Sequence, residues 1–324
     1  MRLSALDHLR GAGILLVFLF SFWTWLYPNA PAPDAIVHNV PGQLHAGDLV
    51  FALFIFCSGV SLWFFYRRCL LRKLQFDSAA GRYLRLLGLA ILISAVRLFT
   101  PFPDEVIFIA LSALLVLPLL WLRRPLIPAV YAALVLAVLV GLRPLAPELW
   151  YSLTAPYLGG ILGVFYYSLL ALAACAVAAF AFPSGLLDKR SLPALWKSWG
   201  LALALLAASS LVLGAPDKMG LSISFLALSL AVFIPLLALS IHLFDNLRWR
   251  LPLVVRIGAS SLAGWAAFYA VSALFWYRGW GGSLDSGLYP LFCVLLFAAL
   301  GLLLHCLDIV RERQKPPAAA HASI

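Results

Sequence analysis

The chain has 324 residues, 64% of them hydrophobic and only 11% charged, with a mean hydropathy of +1.00 and a formal net charge of +10. A soluble domain carries about 25% charged residues. So few ionisable groups cannot cover a water-facing surface of this size, which excludes a soluble globular protein. The positive charge is scattered through short loops beside apolar segments and forms no single patch, which excludes a nucleic-acid-binding module.

Ten apolar stretches follow in chain order, at 11–27, 48–66, 84–99, 106–122, 125–142, 159–182, 198–215, 220–244, 257–277 and 287–308. About 20 helical residues at 1.5 Å each cross the ~30 Å of a hydrocarbon core, so the shorter stretches need tilt or a few loop residues. The predicted fold is all-α: a polytopic integral membrane protein of about ten transmembrane helices, with residues 1–310 as a single membrane domain. The first stretch is long enough to span and has no small-residue cleavage site after it, so it reads as a retained helix, not a signal peptide. Between the fourth and fifth stretches, Leu122-Arg123-Arg124-Pro125-Leu126 predicts a tight turn. Residues 311–324 are polar and rich in Ala and Pro and predict a disordered cytoplasmic tail. No internal repeat of the kind found in many transporters is visible.

Orientation follows from the basic residues. With the N-terminus in the cytoplasm, only Arg97, Arg143, Lys218 and Arg278 of the 23 Lys and Arg fall outside. This positive-inside bias places both termini in the cytoplasm and the long, proline-rich loop 28–47 outside.

Asp7 and Arg10 are three apart, so on a helix they share a face and pair, which reads first as a topology anchor at the cytoplasmic boundary. The outer loop 28–47 contains His38 and His45 and leads into Asp48, an aspartate at the edge of an apolar helix that needs a partner or water. His45 is three residues before Asp48, a spacing that suits a carboxylate orienting an imidazole if the helix starts early. His38 is ten residues before it and needs the loop to fold back. Trp23, Trp25, Tyr27, Trp150, Tyr151, Trp276, Tyr277 and Trp280 fit an interfacial aromatic belt. Cys57, Cys69, Cys175, Cys293 and Cys306 have no CxxC spacing and read as packing residues, with no metal site.

Leu6-Asp7-His8-Leu9-Arg10-Gly11 precedes the first helix. In the second come Asp48-Leu49-Val50-Phe51, Phe54-Ile55-Phe56 and Ser58-Gly59-Val60-Ser61. This pairing resembles the catalytic domain of the heparan-α-glucosaminide N-acetyltransferase family and related bacterial transmembrane acyltransferases. The stretch Arg82-Tyr83-Leu84-Arg85 and the apolar run after it continue the likeness, which is clear over roughly the first 120 residues.

The resemblance implies a membrane-embedded acyltransferase, seated among membrane lipid in a bacterial cytoplasmic (inner) membrane. Its co-substrate would be a cytoplasmic acyl-CoA (acetyl-CoA), with no metal, and its acceptor a sugar amine or hydroxyl on the extracytoplasmic side. The family's functional histidine lies ten residues ahead of the aspartate that opens the second helix, which is His38 here. An imidazole there can deprotonate the attacking group or accept the acyl group itself, with Asp48 orienting the ring. On the inner face, Arg10, Arg67, Arg68, Arg82 and Arg85 are the expected cofactor-binding residues, since a guanidinium cluster can grip coenzyme A phosphates. Positive-inside bias and contact with anionic lipid account for the same cluster equally well.

The chain departs from the family in having Ser21 eleven positions after Arg10, and Asn39-Val40-Pro41-Gly42 where a tryptophan-containing stretch is usual. Two other readings stay open: a transporter or flippase, against which the acid-poor helix interiors count, and a non-catalytic membrane subunit of an envelope-glycan system. A homo-oligomer is left open as well.

Overall fold

The computed structural model describes residues 3–27, 32–33, 37, 43–95, 105–122, 124, 126–154, 160–278 and 286–313. Among these, every regular element is helical. They are α1 (Ser4–Ser21), α2 (Trp23–Leu26), α3 (Asp48–Leu71), α4 (Phe76–Ala95), α5 (Glu105–Trp121), α6 (Leu126–Leu145) and α7 (Pro147–Thr154). There follow α8 (Gly160–Ala181), α9 (Ser191–Leu213), α10 (Ile223–Ser240) running into a π-helical turn (Ile241–Asn246), α11 (Pro252–Ala259), α12 (Ser261–Arg278), a 3₁₀ turn (Ser286–Leu288) and α13 (Tyr289–Arg313). Apolar runs of this length have no water to satisfy their backbone in lipid, and the helix satisfies it internally.

Among the described residues, each of the ten apolar stretches is helical over most of its length. Among the described residues, seven helices are long and apolar enough to cross a membrane: α1, α3, α6, α8, α9, α10 with its π turn, and the segment ending in α13. An eighth crossing exists if α11 and α12, which meet at a 90° bend, count as one span. The other two stretches form shorter apolar helices, Tyr83–Leu92 within α4 and Glu105–Trp121. The protein is an integral membrane protein.

Two features differ from the expected layout. The stretch 257–277 is not one helix: the chain turns sharply at Ser260, and α11 packs along the start of α1. The segment after α6 forms the short helix α7, whose Trp150 is buried against the bundle. α5 ends at Trp121 and α6 begins at Leu126, so the helix breaks where the arginines and proline predict an interruption; Arg123 and Pro125 themselves lie outside the described residues.

Close packing comes from small residues. A Cβ on Gly59 would lie 2.2 Å from the Ala171 carbonyl oxygen, so α3 and α8 touch backbone to backbone. They run parallel, and Trp63 Nε1 donates to the Phe182 carbonyl at 2.8 Å. A Cβ on Gly11 would lie 2.0 Å from the Val254 carbonyl oxygen, which seats α1 on α11. One aromatic core joins α3, α8 and α10 through Phe51, Phe56, Tyr167 and Phe233; a second joins α1, α12 and α13 through Phe18, Phe22, Phe268 and Phe292. The apolar face of α9 points outward, Leu211 and Val212 being 87% and 79% exposed, as a lipid-facing helix requires.

These contacts define two ends of the bundle. At the first end lie the N-terminus of α1, the C-terminus of α3 and the start of α9. His305 of α13 is also there, bonded to Arg256 of α11, so the start of α1 and the last turns of α13 share this end. At the second end α3, α5 and α10 begin and α9 finishes.

Candidate functional site

At the first end, α1 is capped from a distance. Leu3 has no side chain able to cap it, and the Asp245 carboxylate of the π turn accepts the Ser4 and Ala5 N–H groups at 3.1 and 3.0 Å. His8 is buried and its ring stacks on Phe244 with centroids 3.5 Å apart. Its Nδ1 donates to the Ser4 carbonyl at 2.9 Å, and its Nε2 accepts the Leu251 N–H at 3.3 Å, which is the pattern of a neutral ring.

The expected Asp7–Arg10 pair forms, at 3.3 Å. The pair also lies within the bundle. Asp7 is only 3% exposed, and the second arm of Arg10 donates to Ser61 Oγ in α3, whose hydroxyl donates to the Cys57 carbonyl at 2.5 Å. The Asp-x-x-Arg-Gly element therefore ties α1 to α3 and, through Gly11, to α11.

The described basic residues expected to face a cofactor differ in exposure. Arg67 is half-buried, its Cζ 5.7 Å from the centre of the Trp63 ring, and its side chain lies against Gly185 in the α8–α9 loop. Its Nε is buried and has no hydrogen-bond partner among the described residues. Arg68 and Arg85 are exposed, Arg85 Nε donating to the Gly81 carbonyl at 3.2 Å on the outer face of α4. The Arg82 side chain lies outside the described residues.

At the second end, Asp48 opens α3 and is 1% exposed. Its Oδ2 accepts the His45 backbone N–H at 2.9 Å. The His45 ring does not meet it: Nε2 pairs with Gln43 Oε1 at 3.1 Å, because the helix begins at Asp48 and the preceding turn presents backbone, not imidazole, to the carboxylate. His38 lies outside the described residues.

The partner of Asp48 is Lys218, which sequence reading left unassigned. Its ammonium is 3.5 Å from Asp48 Oδ1, and the residue is 4% exposed. Burial pulls the Lys218 ammonium below its ordinary range, while Asp48 and Glu105 work in the opposite direction. Glu105, the first residue of α5, accepts the Tyr269 hydroxyl on Oε2 at 2.8 Å. One signal in the sequence pointed to Lys218, which is a cation on the side where the charge bias leaves almost none.

The aromatic belt is corrected in part. Trp23, Tyr27 and Trp150 are buried in the protein, Trp23 and Tyr27 against Tyr289, while Tyr151 is 68% exposed. Trp25, Trp276, Tyr277 and Trp280 have no described side chains. Cys57, Cys69, Cys175 and Cys293 are buried, and Cys306 is exposed. Among the described residues no group of three His, Cys, Asp or Glu is placed to hold a metal ion. Two open apolar grooves, of about 470 and 550 Å³, flank the α9–α10 pair, and none of the residues above lines them.

The family model described as heparan-alpha-glucosaminide N-acetyltransferase, catalytic, matches residues 2–213, well beyond the first 120 that carry the visible likeness. A search of curated proteins gives no match. The matched region holds Asp7, Arg10, the loop leading to Asp48, and the basic residues of α3 and α4. The chain belongs to the heparan-α-glucosaminide N-acetyltransferase catalytic-domain family, a family of membrane acetyltransferases.

Proposed function

We propose that the protein transfers an acetyl group from cytoplasmic acetyl-CoA to an amine or hydroxyl of an extracytoplasmic sugar, in the cytoplasmic membrane of a bacterium. The observation that carries this reading is the family match over residues 2–213. The bundle is consistent with it in placing an exposed guanidinium, Arg68, at the first end and the Asp48–Lys218 pair at the second. In this reading the ten apolar helices cross the membrane, with both termini and the arginine-rich end in the cytoplasm.

The donor's phosphates meet Arg67, Arg68, Arg82 and Arg85, with Arg10 holding α1 and α3 together behind them. Transfer forms a bond from the acceptor nitrogen or oxygen to the acetyl carbon and breaks the carbon–sulfur bond of the thioester. His38 takes the proton of the attacking group and returns it to the departing sulfur, so that coenzyme A leaves as the thiol. Asp48 sits ten residues further on and supports the imidazolium.

The test is acetyl transfer by the full chain in vesicles, with labelled acetyl-CoA on the arginine-rich side and glucosamine on the other. Wild type and His45→Ala should transfer label, and His38→Ala should lose about 10²–10⁴-fold in rate, the usual contribution of a general base. A wild-type protein that never transfers acetyl would sink the reading. A dead His45→Ala beside an active His38→Ala would move the base to His45.

A further inference from the structure

Lys218 lies outside the family match, which ends at residue 213, and nothing in the reading above uses it. Its setting is built with some care for a loop residue. The loop between α9 and α10 is tied at nearly every turn. Asp217 N–H donates to Ser222 Oγ at 2.8 Å, Asp217 Oδ1 accepts the Met219 N–H at 3.0 Å, and Ser224 Oγ donates to the Gly214 carbonyl at 2.6 Å. Ser222 also caps α10, and its carbonyl accepts the Tyr166 hydroxyl at 2.7 Å. Leu221 adopts φ 51°, a left-handed conformation that is uncommon for a branched side chain and persists only where the surroundings enforce it. The outcome of these constraints is a lysine aimed inward.

A buried ion pair is a weak source of stability, since two apolar residues of similar volume often do as well or better. Retaining one in a hydrophobic bundle therefore asks for another reason. Here the ammonium stands on the carboxylate that opens α3, directly after the loop that carries His38 and His45. Two acidic groups act on it, Asp48 from α3 and Glu105 from α5, the latter held by Tyr269 of α12, with the His45 backbone on the far oxygen of Asp48; Asp217 adjoins it in its own loop and Tyr166 of α8 ties that loop through Ser222.

We infer that Lys218 is a positioning residue of the acetyl-transfer site, fixing the Asp48 carboxylate between its own ammonium and the His45 N–H so that the carboxylate is held in place for the transfer step. This rests on the acetyltransferase reading. Lys218 acts through Asp48 at the second end, so its loss leaves donor binding at the first end alone and slows the transfer step.

The experiment compares Lys218→Met, Lys218→Arg and the double variant Asp48→Asn/Lys218→Met in the vesicle assay with acetyl-CoA and glucosamine. Lys218→Met should lower kcat at least tenfold while KM for acetyl-CoA stays within twofold, and Lys218→Arg should restore most of kcat. The double variant, which buries no charge from the pair, should fold even if Lys218→Met does not, and it should remain as slow as Lys218→Met. Wild-type kcat in either charge-free form overturns the role, as does a Lys218→Met defect that falls on KM or that Arg fails to rescue. A wild type without acetyl transfer overturns the acetyltransferase reading and this role with it. An active wild type with an indifferent Lys218 overturns only the latter.

Discussion

Gly258 presses so closely on α1 that a Cβ at that position would lie 1.7 Å from the Asp7 carbonyl oxygen. The obstructing atom is backbone, which cannot swing aside as a side chain would. Gly258→Ala should therefore force α11 away from α1 and lower the thermal stability of the purified protein sharply. Gly88 in α4 has no atom within 4 Å of the same construction, so Gly88→Ala should stabilise by about 0.5–1 kcal/mol through helix propensity. Equal melting temperatures for the two variants would contradict the packing described.

Arg10→Lys should not be conservative. The guanidinium reaches Asp7 with one arm and Ser61 with the other, and a single ammonium cannot bridge both. Breaking one partner out of a buried pair costs about 3–5 kcal/mol, so Arg10→Ala should be badly destabilised and Arg10→Lys only partly better. Thermal melts of both variants decide it, and a Lys variant as stable as wild type would rule out the two-armed role.

Removal of the remote cap should loosen the N-terminus selectively. Asp245→Ala leaves the Ser4 and Ala5 N–H groups without their acceptor, a loss of about 1 kcal/mol for a typical cap. Hydrogen exchange should rise in the first turn of α1 and stay unchanged at its end. Uniform exchange along α1 would show that the cap does not hold it.

The pH dependence of stability follows from Lys218. Its pKa is lowered in the folded protein by burial, against an ordinary value of 10.5. Between the lowered value and 10.5 the folded chain has released a proton that the unfolded chain still binds, so stability from this group rises with pH through that window. Wild type should gain on Lys218→Met in melting temperature as pH is raised toward the ordinary lysine value of 10.5. A constant difference would mean that Lys218 does not titrate in this way.

Much of the helical layout was readable because membrane burial writes long apolar runs that only a helix can satisfy. The break between α5 and α6 was legible for the same reason, since charge and proline both end such a run. The bend at Ser260 was not, because no proline or charge marks it and it depends on Gly258 meeting α1. Asp48 was legible as a buried acid in need of a partner. Its partner was not, because Lys218 is remote in sequence and only the folded α9–α10 loop turns it inward. The His45 expectation failed on a local detail: the helix starts at Asp48 itself, so the turn before it offers an N–H where an earlier start would have offered a ring.

The remote cap also sets an order of assembly. Ser4 and Asp245 are separated by 241 residues, and the partners of His8, Phe244 and the Leu251 N–H, come equally late. During synthesis α1 emerges ahead of the other helices described, yet its opening turns gain these partners only after α10 and its π turn have been made. A helix made early is thus among the last to be locked, and a ribosome stalled after α9 would leave a nascent chain with His8 and the first amides of α1 still in need of these partners.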